Sequence, residues 1–129
     1  MLFQTTGILR HGRKDWWLVA DCDINIVKYY GYLFYKRYGR HLNLPKYGSH
    51  ITIIQREEPI RNKEHWGTFD SESVLIDINS IYTIGDEKKF FCFDVSSERL
   101  MELREFFGLK KQHPFHMTIG WEKGNKNEN

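Results

Sequence analysis

The chain has 129 residues, of which 40% are hydrophobic and 16% aromatic, and a formal net charge of +2. This supports one domain with a real core and excludes a disordered chain. The charge is uneven, with 9 Lys/Arg against 3 Asp/Glu in residues 1–56 and 10 against 14 in residues 57–129. A basic first half suits a phosphate-bearing ligand, whereas wrapping a long nucleic acid calls for a larger cationic excess.

In chain order, Thr6 to Arg10 and Trp16 to Asp21 read as strands joined by the turn His11 to Asp15. Asp23 is placed to cap a helix with the apolar stripe Ile26, Val27, Tyr30, Leu33 and Phe34, and Gly39 to end it in the left-handed conformation. Gly31 inside that helix costs up to about 1 kcal/mol relative to Ala. A loop with Pro45 and Gly48 leads to a strand from His50 to about Gln55. Arg56 to Asp70, with Pro59 and Gly67, reads as a connection that can fold over a groove. Val74 to Ile78 and Lys89 to Val95 read as strands. Ser96 or Ser97 caps a helix carrying Leu100, Leu103, Phe106 and Phe107, Gly108 ends it, and Pro114 precedes a last strand from His116 to Trp121.

Each half thus runs strand, strand, helix, Gly, a Pro-containing loop and a final strand. The expectation is an α+β fold of two related lobes, with a motif strand from each lining a shared groove and helices outside. One domain would span residues 1–123, with lobe halves near 1–56 and 70–123. Residues 124–129 read as a polar tail. No secretory signal is expected at the start, and no apolar run approaches the ~20 residues that cross a bilayer. Cys22 and Cys92 are too few for a disulfide framework or zinc site, and Cys92 in Phe90-Phe91-Cys92-Phe93 reads as a small buried hydrophobe. A reducing cytoplasm fits these features.

The most informative feature is a phrase written twice, His50-Ile51-Thr52-Ile53 and His116-Met117-Thr118-Ile119. With 6 His in the chain, a chance match to His-x-Thr-aliphatic is expected roughly 0.05 times. On a strand, His and Thr two apart point the same way while the residues between and beyond them are buried. Two such strands side by side would present two imidazoles and two hydroxyls to one small anionic group. Imidazoles with ordinary pKa near 6.5 can divide the acid and base roles in phosphodiester cleavage, and hydroxyl donors can hold the charge that builds on the phosphate. Nothing in this chemistry demands a metal or other cofactor. No His/Asp/Glu/Cys cluster has ligand spacing, and Pro114 excludes the helix that would align His113 with His116.

With these motifs the chain resembles the 2H phosphoesterase superfamily. The resemblance implies a bilobal fold, His50 and His116 as the acid/base pair, and Thr52 and Thr118 orienting the phosphate. Shorter phrases look like the phage branch, which includes anti-CBASS nucleases and Swiss-army-knife RNA-repair-like proteins. These phrases are Thr6-Gly7-Ile8-Leu9, Trp17 to Asp23, Tyr29-Tyr30, Gly48 to Thr52 and Pro114 to Gly120. The function implied is cleavage of small cyclic oligonucleotides used as infection alarms. Rival readings are opening or forming 2′,3′-cyclic phosphates at RNA ends and a sponge that binds nucleotides without turnover. The expected partner is a small nucleotide, cyclic oligonucleotide or RNA end, with no membrane and no obligate protein partner.

Base recognition would fall to aromatic and cationic groups near the groove. His11, Tyr47, Trp66 and Phe115 are the candidates for stacking. Arg10, Arg13, Lys14 and Lys46 are the candidate phosphate cations. Trp16 or Trp17 reads as core, since adjacent strand positions face opposite ways, and Arg40 and His41 as the finish of the first helix.

Overall fold

A computed structural model describes residues 1–12, 15–111 and 115–123. Arg13, Lys14, His113, Pro114 and the polar tail 124–129 lie outside the described residues. The described residues form six strands and two α-helices in the order β1 (Phe3–His11), β2 (Trp17–Asp21), α1 (Ile24–Tyr38), β3 (His50–Gln55), β4 (Ser73–Ile84), β5 (Lys88–Ser96), α2 (Glu98–Phe106) and β6 (Phe115–Lys123). All strand pairs are antiparallel, and the strands close into one barrel in the order β1-β2-β3-β6-β5-β4.

This closed barrel corrects the expectation of two lobes flanking a groove. The physical reason lies in two hydrogen-bonded seams between the halves. β1 is long enough for two partners: Ile8 to His11 pair with β2, while Phe3 to Ile8 pair with β4 from Ile78 to Ser73. On the far side β3 meets β6, with Ile51 opposite Met117. At Gly7 an added Cβ would stand 2.8 Å from the Ile76 side chain and 3.1 Å from Ala20. Glycine there lets β1 lie close against its neighbours.

The alternation of the strands turns Leu9, Leu18, Ile51, Ile53, Ile76, Phe93, Phe115 and Met117 into one buried apolar cluster. Val27 of α1 and Leu100, Leu103 and Phe107 of the α2 region join the same cluster. Both helices carry the caps expected of them. The Asp23 carboxylate accepts from the Asn25 amide at 2.9 Å, and Gly39 ends α1 at φ +71°. Ser97 Oγ accepts from the Leu100 amide.

The connection between β3 and β4 packs as a strap, not as a flap. The amides of Ile60 and Arg61 donate to the Phe107 carbonyl, and Asn62 Nδ2 donates to Phe106 O at 2.7 Å. Beyond a 3₁₀ turn at Lys63–His65, Trp66 and Phe69 pack against the core beside Phe106 and Phe107. Arg104 locks the start of this strap. Its guanidinium is almost fully buried and donates to Ile53 O (2.8 Å), Lys110 O (2.6 Å) and both Glu57 oxygens (2.8 and 2.9 Å). Among the described residues no helix is long and apolar enough to cross a membrane.

Candidate functional site

The register of two strands builds the site. Because Ile51 stands opposite Met117 in an antiparallel pair, counting outward sets His50 opposite Thr118 and Thr52 opposite His116. Ile51, Ile53, Met117 and Ile119 are buried. The four motif side chains therefore share the face of β3 and β6 turned away from the core. Directly opposed residues lie ~4.5–5.5 Å apart and diagonal ones ~7–8 Å, so the two imidazoles are diagonal neighbours across one strand gap.

The flanking strands extend this face. Asp21 of β2 stands opposite His50, and Val19 opposite Thr52. On the other side Asp94 of β5 stands opposite His116, and Cys92 opposite Thr118. Across four strands the rows read Asp21, His50, Thr118, Cys92 and Val19, Thr52, His116, Asp94. Each histidine thus has a carboxylate residue on its outer side and the other motif's threonine on its inner side.

Local contacts make the two histidines unlike. His50 Nδ1 lies 3.2 Å from the Gly48 carbonyl. A carbonyl only accepts, so Nδ1 carries the proton and Nε2 is left for a ligand. His116 is exposed as a residue, but partial desolvation of its imidazole lowers the pKa from the ordinary value, and the nearby His50 lowers it further. Thr118 Oγ1 lies 3.8 Å from Cys92 Sγ. Burial also pushes the Cys92 thiol up.

A pocket of about 310 Å³ opens beside the first motif. His50 and Thr52 line it together with Val19 and Trp17 of β2 and Arg10 and Gly12 at the end of β1; Asp15, Tyr47 and Arg56 complete its wall. It therefore extends from β3 over β2 and β1, away from β6. His116 and Thr118 are on the adjoining strand and do not line it.

The expected recognition residues divide. Tyr47 is exposed, lines the pocket and meets the His50 ring edge-on at 6.2 Å, with Lys46 Nζ 5.4 Å from the Tyr47 ring. Arg10 lines the pocket too, but Asp21 holds its guanidinium at 2.7 and 3.2 Å. His11 does not reach the pocket. Its side chain is buried against Trp66, with ring centroids 4.9 Å apart, and burial outweighs Asp70 to lower its pKa. Trp66 is half-buried and donates to Gly12 O at 2.9 Å, and Phe115 is wholly buried. These three are packing groups. Arg40 pairs with Glu122 and His41 stacks on Tyr35, both at the end of α1.

Five of the pocket's lining residues, Gly12, Asp15, Trp17, Val19 and Arg56, carry no site expectation from the sequence, and Trp17 and Arg56 are the two with ligand-binding chemistry. Trp17 is a pocket wall and not core, whereas Trp16 packs edge-on to Trp66. Burial does not alternate along β2, where Leu18, Val19 and Ala20 are all buried, so the signal for Trp17 was only its place at the strand's partly exposed end. Arg56 directly follows β3 at φ +57°, with its guanidinium carbon 5.6 Å from the Trp17 ring centroid. No sequence signal marks it. Among the described residues Arg56 has no carboxylate partner, unlike Arg10, Arg40, Arg99 and Arg104.

No group of three or more His, Cys, Asp or Glu among the described residues is placed to hold a metal ion. No family model, no curated protein and no solved structure matches this chain.

Proposed function

We propose that this protein is a phosphodiesterase that cleaves small oligonucleotides, cyclic ones above all, with His50 and His116 as its acid–base pair. The carrying observation is the Ile51–Met117 register, which sets two imidazoles and two hydroxyls on one face of adjacent strands. The reading rests on the paired motifs and not on the fold, which is not the one their family resemblance implies.

Such substrates carry a 2′-hydroxyl beside each 3′-phosphate. A neutral imidazole takes the 2′-hydroxyl proton as its oxygen attacks phosphorus. A protonated imidazole gives a proton to the departing 5′-oxygen, leaving a 2′,3′-cyclic phosphate and a free 5′-hydroxyl. The environments favour His116 as the base, since its lowered pKa keeps it neutral near pH 7. His50, with Nδ1–H fixed on Gly48 O, presents Nε2 as the acid. Thr52 and Thr118 donate to the non-bridging oxygens. None of these steps requires a metal. Two unpaired cysteines suit action in the cytoplasm, where removing a cyclic oligonucleotide alarm would blunt an immune response.

The test is incubation with cyclic di- and trinucleotides, 2′,3′-cyclic nucleotides and short RNA, in EDTA and then with Mg²⁺ or Mn²⁺. The expected result is EDTA-resistant opening of the cyclic oligonucleotides. Cleavage confined to 2′,3′-cyclic RNA ends would move the assignment to RNA-end processing. Tight binding without product would make the protein a nucleotide sponge.

A further inference from the structure

Four features of the pocket wall converge on one residue. Arg56 lines the same pocket as His50 and Thr52, against Trp17. Among the described residues no carboxylate stands within 4 Å of its guanidinium, although Asp15 lines the same pocket. Its backbone sits at φ +57°, a conformation that non-glycine residues hold only when their surroundings impose it, and one that concentrates at ligand sites. Finally, those surroundings are built: Glu57, the next residue, is clamped by both Nη atoms of buried Arg104 and accepts from the Gln55 amide. An ion pair between buried Arg104 and partly exposed Glu57 therefore fixes the turn that aims the Arg56 guanidinium.

We infer that Arg56 and Trp17 form a subsite for the neighbouring nucleotide of the substrate, Trp17 stacking its base and Arg56 binding a second phosphate. This rests on the phosphodiesterase reading and deepens it to a substrate class: at least a dinucleotide, linear or cyclic. Arg56 lies four residues beyond Thr52, about 13 Å of strand. Its guanidinium lies over Trp17 in the pocket that His50 and Thr52 also line, so a phosphate bound there belongs to the same ligand. The pocket lies wholly on the β2 side of β3, so only one flank of the scissile phosphate gains a subsite. Its volume of about 310 Å³ is near the lower end of ligand pockets, ~300–1,000 Å³, and suits a single nucleoside.

Binding of the four ribonucleoside 3′,5′-bisphosphates and the corresponding nucleosides, followed by calorimetry and tryptophan fluorescence, tests this. Arg56→Gly is the informative variant because glycine accepts φ +57° freely and keeps the turn. It should weaken the best bisphosphate at least tenfold, leave its nucleoside within about twofold, and flatten the salt dependence. Trp17→Leu should weaken both ligands at least fivefold and abolish most of the fluorescence change. Unchanged bisphosphate affinity in Arg56→Gly, or no bisphosphate binding by the wild type, overturns the subsite. Wild-type turnover of cyclic dinucleotides, measured separately, decides the hydrolase reading. Arg56-dependent binding without turnover would sink only the latter, and turnover with Arg56-independent binding only the former.

Discussion

Replacing Arg104 by Met isolates the clamp beneath the pocket. Met keeps most of the volume and removes all four hydrogen bonds. The Ile53 carbonyl is buried, and losing its donor costs about 2 kcal/mol within the ~1–3 kcal/mol range for an orphaned acceptor. Lys110 O borders exposed chain and can recruit water, so about 0.5 kcal/mol is lost there. Glu57 is 40% exposed, so its carboxylate rehydrates when the guanidinium goes, and this adds about 0.5 kcal/mol. The total is about 3 kcal/mol, at the low end of the ~3–5 kcal/mol for breaking a buried pair, because the partner left behind is not buried. At ~2.1 cal/mol/K per residue over 129 residues, the melting temperature should fall by about 11 °C. Urea titration and thermal melting at pH 7 measure both quantities.

The clamp also has a pH signature. Its hydrogen bonds from Arg104 hold the Glu57 carboxyl below its ordinary pKa of 4.5. A depressed acid favours folding above its unfolded value, so this contribution is present above about pH 4.5 and is lost as pH falls through the folded value. Wild type should therefore lose more stability than Arg104→Met on acidification below that point. A loss under 1 kcal/mol at pH 7, with parallel pH profiles, would refute the clamp. Well below its melting temperature, Arg104→Met should still bind the bisphosphate probe more weakly, since Arg56 has lost its fixed turn.

Three further outcomes follow from other parts of the molecule. His50→Ala should lose at least ~10²-fold in kcat on an alkoxide leaving group but far less on a 4-nitrophenyl ester, which needs no proton, while His116→Ala should lose on both; the reverse pattern would swap acid and base. The wild-type pH–rate profile should be bell-shaped, its acid limb falling below the ordinary histidine value of ~6.5 because His116 must be neutral to act; a rate still rising as pH drops through 5 contradicts this. Gly31→Ala should stabilise α1 by up to ~1 kcal/mol, because the added Cβ meets nothing within 4 Å; melting should rise by a few degrees with turnover unchanged.

Local signals in the sequence were reliable where they had a local cause. Asp23, Gly39 and Ser97 act through neighbours within a few residues, and they cap as read. The His50–Gln55 strand is set by its own alternation. Strand lengths were underestimated where the cause was distant. β4 continues through polar Asn79 and Ser80 to Ile84 because β5 pairs with it to that point. Barrel closure depends on pairs such as Phe3 with Ile78, too far apart in sequence for any periodicity to register. In the site, side-chain parity carried more information than residue chemistry. Phe115 shares parity with Met117 and is buried beside it, so its position next to His116 already argued against a ligand role. His11 shares parity with buried Leu9 and likewise turns inward. Arg56 belongs to neither alternation, since its direction comes from a turn fixed by Arg104 far along the chain.

The two motifs are nearly identical in sequence, and an acid–base mechanism needs them to differ. The rows across β2, β3, β6 and β5 are close to symmetric, each histidine facing an aspartate outward and a threonine inward. What separates them is what packs on that frame. Asp21 beside His50 is tied to Arg10, and the Gly48 carbonyl fixes the His50 tautomer. His116 instead, though exposed as a residue, takes a lowered pKa from partial desolvation of its ring and from His50 itself. A charge on His50 thus disfavours a charge on His116, which suits His116 to the base role in the proposed mechanism. The pocket then breaks the symmetry for the ligand, because it opens only over β2 and β1. Under the proposed function, a diester bound between the imidazoles with its neighbouring nucleotide in that pocket would have one orientation, presenting one ester oxygen to His50 and the attacking hydroxyl to His116. On that reading orientation and proton assignment would come from the same asymmetry, and exchanging the environments of His50 and His116, not the residues, would be needed to reverse the reaction's direction across the strands.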